Sequence, residues 1–111
     1  MTSVTGIAVS GMMAAQKRLE VSARNVATAP VGLPDNAPPE VQAAFRALSI
    51  DQVEAPGGGT AAVVRQEPPG TQVDLANEAV QQMIARYTFT ANAKVLKAEA
   101  EMQKSLLDIK T

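Results

Sequence analysis

The chain of 111 residues contains no histidine and no cysteine. Their absence removes the commonest general base, the thiol nucleophile and the usual zinc ligands, and it excludes disulfides. There is no tryptophan, one tyrosine and two phenylalanines. A thick aromatic core is therefore excluded, and Ala, Val, Leu and Met must carry the burial, a composition suited to close helix–helix contact. Ten Lys and Arg face eleven Asp and Glu, for a net charge of −1, with no basic run. The electrostatic footprint of nucleic-acid binding is missing. No apolar stretch approaches the roughly 18 residues needed to span a bilayer, so no direct membrane insertion is expected. The apolar region from Val4 to Ala15 lacks a basic start and is interrupted by Gly6, Ser10 and Gly11, unlike a cleaved leader. Lack of cysteine suits passage through an oxidising space, but many cytosolic proteins share it.

No catalytic constellation emerges from the groups that remain. Glu99 and Glu101 fall on different faces of a helix, and Asp51 and Glu54 flank a flexible turn, so they read as solvated carboxylates. Gly57-Gly58-Gly59 lacks the Gly-Lys-Ser/Thr ending of a phosphate loop and leads into a β-like run, which favours a hairpin turn. Arg24, Asn25 and Arg86 read as helix-surface hydrogen-bonding residues. No catalytic residue, cofactor or metal site is expected.

What the sequence does have is apolar rhythm at both ends. Val4, Ala8, Met12, Ala15, Leu19, Ala23 and Val26 follow steps of 4, 4, 3, 4, 4, 3, which predicts one helical stripe between about Ser3 and Thr28. Ser3 or Thr2 can cap its start, and Pro30 ends it. Gly6 and Gly11 each cost about 1 kcal/mol against Ala inside a helix, which makes sense where another backbone passes close by or where the first turns order only in the presence of a partner. From about Asp74 to Ile109, the row Ala76, Val80, Ile84, Tyr87, Ala91, Val95, Ala98, Met102, Leu106 and Ile109 repeats the same step. Asp74 supplies an N-cap, Glu78 an acidic first turn and Lys110 a basic end. Lys97/Glu101 and Lys104/Asp108 add opposite charges four apart. Eleven residues over three turns is about 3.67 per turn, which predicts straight or weakly right-handed packing along matching stripes. A flanking row, Ala85, Leu96 and Leu107, and Phe89 on another face exceed what so small a monomer can cover. Phe89, Leu96 and Leu107 are therefore candidate intermolecular contacts.

The centre holds all seven prolines and five of the seven glycines. Ala29 to Pro39 reads as an extended linker, and Val41, Phe45 and Leu48 as at most a short helical face. Leu48 to Glu54 and Thr60 to Gln66 read as a β-hairpin that needs a helix or neighbour to lean on. Pro68-Pro69-Gly70 breaks the chain before the last helix. The fold expected is mainly α: two long terminal helices packed as an antiparallel coiled-coil hairpin, with a small central β-hairpin and Pro/Gly-rich linkers. It forms a single domain of N-terminal helix (1–29), linker and β-hairpin (30–72) and C-terminal helix (73–111).

Two segments carry a resemblance. The stretch Ile7-Ala8-Val9-Ser10-Gly11-Met12-Met13-Ala14-Ala15-Gln16-Lys17-Arg18-Leu19-Glu20-Val21-Ser22-Ala23-Arg24-Asn25-Val26-Ala27 resembles the start of bacterial flagellar basal-body rod and hook proteins. Val73-Asp74-Leu75-Ala76-Asn77-Glu78, Arg86-Tyr87-Thr88-Phe89-Thr90-Ala91-Asn92-Ala93-Lys94-Val95 and Leu106-Leu107-Asp108-Ile109 resemble the end, in the expected order. The short centre is most similar to the proximal rod group, of which this chain would be a short, divergent member. Where the family commonly places a second asparagine after Asn-Val-Ala, this chain has Thr28. The resemblance implies terminal helices lining an axial tube, stacking with itself and other rod subunits, and torque transmission. It also implies export by the flagellar type III apparatus without a cleaved signal and residence in the periplasmic rod. A rival reading is a soluble coiled-coil adaptor or flagellar export chaperone, which would remain cytoplasmic.

Overall fold

A computed structural model of the chain describes residues 3–29, 38–44, 46–68 and 71–110. It is mainly helical, with α1 (Val4–Thr28), α2 (Pro39–Ala44), β1 (Leu48–Glu54), β2 (Thr60–Gln66) and α3 (Leu75–Lys110). Both strands span the residues expected of them, and both long helices start and stop within a residue of the periodic segments. Pro30, Phe45, most of the expected linker and Pro69-Gly70 lie outside the described residues.

Local chemistry sets the helix starts. Ser3 is extended and its hydroxyl accepts from the Gly6 amide at 3.1 Å, which satisfies one of the orphan donors of α1. Asp74 does the same for α3, one oxygen accepting from the amides of Ala76 (3.0 Å) and Asn77 (3.2 Å). The strands pair antiparallel from Leu48↔Gln66 to Glu54↔Thr60. Gly57, Gly58 and Gly59 in the connecting turn all have positive φ, a region side chains disfavour. On the hairpin's outer face Arg65 Nε donates to Asp51 at 3.1 Å. That bond, then the charges of Asp51 and Glu67, hold the guanidinium above its ordinary pKa.

α1 lies between the other elements, against α3 on one side and the hairpin on another. The hairpin runs lengthwise along it and is pinned at both ends. At its base, Asn25 Nδ2 donates to the Leu48 carbonyl (2.8 Å) and Asn25 Oδ1 accepts from the Leu48 amide (2.9 Å), as a neighbouring strand would. At its tip, Ser10 Oγ accepts from the Thr60 amide at 3.1 Å. The fifteen steps from Ser10 to Asn25 rise about 22 Å, and the six steps from Leu48 to Glu54 cover about 20 Å. The two pins therefore fall in register with the strand ends. The molecule is elongated, 72 × 26 × 15 Å.

Candidate functional site

The contacts between α1 and α3 run in opposite chain directions. Ser22 Oγ donates to the Glu78 carbonyl at 3.0 Å, Arg18 to Gln81, and Thr5 to the Glu99 carboxylate, while Gly11 faces Asn92. On α3 the residues Glu78, Ala85, Asn92 and Glu99 that meet α1 or are buried recur every seventh position. On α1 the corresponding rows are Ala8, Ala15, Ser22 and Gly11, Arg18, Asn25. The seam between the helices therefore follows a seven-residue repeat of small and polar side chains, not the eleven-residue apolar one expected.

The reason is steric. Small residues let the backbones approach, and a β-carbon on Gly11 would sit 2.6 Å from Asn92 Nδ2. The close approach anticipated at Gly11 is present, made by a side chain of α3. Polar groups enter the seam because each finds a partner inside it. Glu78, buried, accepts from Asn25 Nδ2 at 3.0 Å. Asn25 is itself buried and joins both helices to the hairpin, so reading it as a surface residue was wrong. Arg18 extends the same network, reaching Gln52 of β1 at 3.4 Å as well as Gln81.

On α3 the apolar stripe sits about a third of a turn away from this seam, whereas on α1 the two overlap at Ala8 and Ala15. Of the α1 row, Ala8 and Ala15 are buried and Met12 half-buried, but Val4, Leu19, Ala23 and Val26 are exposed. The α3 row is exposed throughout: Val80, Ile84, Tyr87, Ala91, Val95, Ala98, Met102, Leu106 and Ile109. Apart from Ala8, Met12 and Ala15, these residues do not enter the helix–helix contact within the single chain; they form an uncovered apolar edge. Of the three residues expected to reach other molecules, Phe89 and Leu96 are half-buried on the side of α3 that faces α1. Leu107 is exposed because it lies past the start of α1.

The cross-helix pairs end at Thr5–Glu99, yet α3 continues to Lys110. Residues 100–110 thus project about 16 Å beyond their partner helix. Met102 is 66% exposed, Leu106 62%, Leu107 65% and Ile109 80%.

Two concavities accompany these surfaces. A polar one of about 230 Å³ lies beneath the hairpin, lined by Arg18, Asn25, Ser49, Glu78 and Gln81 among others. It is large enough for several waters, and Glu78, one of the three acidic residues in its lining, already holds the Asn25 amide. An apolar groove of about 610 Å³ lies along the α1–α3 junction, lined by Ala15, Leu19, Ala79, Met83, Phe89 and, at its rim, Arg86. Among the described residues no cluster of acidic groups could hold a metal ion, and no helix is long and apolar enough to cross a membrane. No protein-family model matches the chain, and no curated protein matches it either.

Proposed function

We propose that the chain is a structural subunit of the bacterial flagellar basal-body rod, self-assembling through its terminal helices to transmit torque. The observation that carries this reading is the uncovered apolar edge of α3, from Val80 to Ile109, on a molecule with almost no other core. Isolated soluble chains rarely leave so long a row of aliphatic side chains in water, and such rows mark interaction surfaces. The resemblance of both chain ends to rod proteins names the assembly.

In this reading α1 and α3 form an antiparallel coiled-coil hairpin, wound left-handed by the seven-residue seam. The hairpin braces α1, and the stripes mate with other rod subunits and further copies of the chain. Load passes through many shallow apolar contacts, none of which needs to be strong. Delivery by the flagellar type III export apparatus without a cleaved signal, and residence in the periplasmic rod, follow from the same resemblance. The groove beside Phe89 also suits a partner helix held reversibly, as a cytoplasmic coiled-coil adaptor or flagellar export chaperone would hold it.

Mass spectrometry of purified basal bodies separates the two. The rod reading expects the chain in the basal-body fraction; recovery from cytoplasm alone would overturn it. Replacing Met102 with Asp places a charge on the free edge and leaves the α1–α3 seam untouched. Motility is expected to be lost while the purified variant keeps its helicity, because burying an unpaired charge at an interface costs several kcal/mol. Wild-type swimming would count against the reading.

A further inference from the structure

The groove and the overhang are complementary in length and in apolar chemistry. Along α3 the groove runs from Ala79 to Thr90, an interval of eleven residues, or about 16 Å. The overhang, residues 100–110, is also eleven residues long. Ala15 and Ala79 on the groove walls let a third backbone come close, while Leu19, Met83 and Phe89 offer apolar contact. Met102, Leu106, Leu107 and Ile109 all fall on one half of the overhang helix.

We infer that the groove is the seat for the α3 overhang of a second copy of this chain, docked as a third helix. This rests on the self-assembly part of the proposed function and specifies its geometry, but is independent of the flagellar location. Groove and overhang are different surfaces of the same molecule, so the contact is heterologous: each copy offers a free groove at one end and a free overhang at the other. The two centres lie about twenty residues apart on α3, so parallel copies would be offset by about 30 Å along the helix axis. A contact of this kind builds an open, polar array and no closed dimer.

The chain has no cysteine, which permits a clean test. Full-length Met83→Cys and mass-tagged Leu106→Cys are mixed at the highest soluble concentration and treated with a short bismaleimide. Both side chains are exposed in the single chain, so neither substitution disturbs its packing. The mixed 83–106 product is expected to exceed either homodimer severalfold. The double variant should give a ladder of multimers, since the two positions are about 35 Å apart on one helix and cannot link within a chain. Adding Met102→Asp to the double variant keeps both thiols and should remove the ladder with the circular dichroism unchanged. Dominant 83–83 or 106–106 products would overturn the heterologous contact in favour of a symmetric one. Absence of any product would overturn self-docking, while leaving the rod assignment to the basal-body measurement.

Discussion

Asn25→Ala is the perturbation that reports most directly on how the three layers are held. Its side-chain amide serves the Leu48 carbonyl at 2.8 Å, the Leu48 amide at 2.9 Å and the Glu78 carboxylate at 3.0 Å, and the residue is only 2% exposed. Truncation leaves both backbone groups of Leu48 and a buried carboxylate oxygen without that partner. Each unsatisfied buried group costs about 1–3 kcal/mol, with partial recovery by water at half-buried Leu48 and more for the charged group. The sum is about 3–4 kcal/mol, a large share of the roughly 5–15 kcal/mol typical of a small domain. Ser22→Ala is the internal standard. It deletes one hydroxyl donated to the Glu78 carbonyl at 3.0 Å and leaves that carbonyl its own helical bond, so about 1 kcal/mol is expected. Urea unfolding followed by circular dichroism gives both values. Amide exchange at Leu48 and Ile50 reads the hairpin separately, because a two-stranded sheet released from α1 is marginal in water. A loss below 0.5 kcal/mol (about a third of one strong bond), with hairpin amides still protected, would refute the assignment of Asn25 as the joint between layers.

Three further outcomes test the packing. Gly11→Ala should destabilise by about 1 kcal/mol despite the better helix propensity of alanine, because Asn92 must yield its 2.9 Å bond to the Thr88 carbonyl. Adding Asn92→Ala should reverse the sign in the same urea titration. Gly59→Ala combines a φ of +83° with a contact 2.5 Å from Ser10 Oγ and should lower thermal stability by about 2 kcal/mol. Gly57→Ala, strained but meeting nothing, should lower it less. In dilute monomer, amides of residues 100–110 should exchange rapidly while those around Ala85 are protected. Uniform protection along α3 would contradict an overhang that orders only on assembly.

The sequence carried the elements well and the seam poorly. Strand boundaries were legible because β-branched runs abut a triple glycine that only a tight reversal uses. Helix ends were legible at Ser3 and Asp74 because capping is local chemistry. The seam was hidden because hydropathy does not mark it. By that measure Val80, Ile84, Val95 and Met102 outrank Glu78, Ala85, Asn92 and Glu99, yet the second set faces α1. The signal on α1 is a small residue every seventh position, Ala8, Ala15 and Ser22; on α3 the matching row alternates small and polar residues with two glutamates and has no simple signature. The role of Asn25 had no local signature. Its partners are 23 and 53 positions away, and only the fold brings them together.

The mismatch in helix length bears on how assembly would proceed. Fully burying an aliphatic side chain contributes about 1.5–3 kcal/mol, so covering the 62–80% of Met102, Leu106, Leu107 and Ile109 that is exposed yields about 4–8 kcal/mol. Association costs about 4–15 kcal/mol in lost translation and rotation, before the ordering of a helix end that is marginal on its own. A single overhang in a single groove therefore sits near break-even and dissociates readily. A subunit that meets several neighbours at once loses its rigid-body freedom only once and gains each apolar contact in full. In the proposed assembly the remaining edge residues, from Val80 to Ala98, would supply those additional contacts. Such a chain would stay dispersed when dilute and add cooperatively to a growing end, where seat, edge and overhang are engaged together. That behaviour suits a part that must travel as a monomer and carry load only once in place.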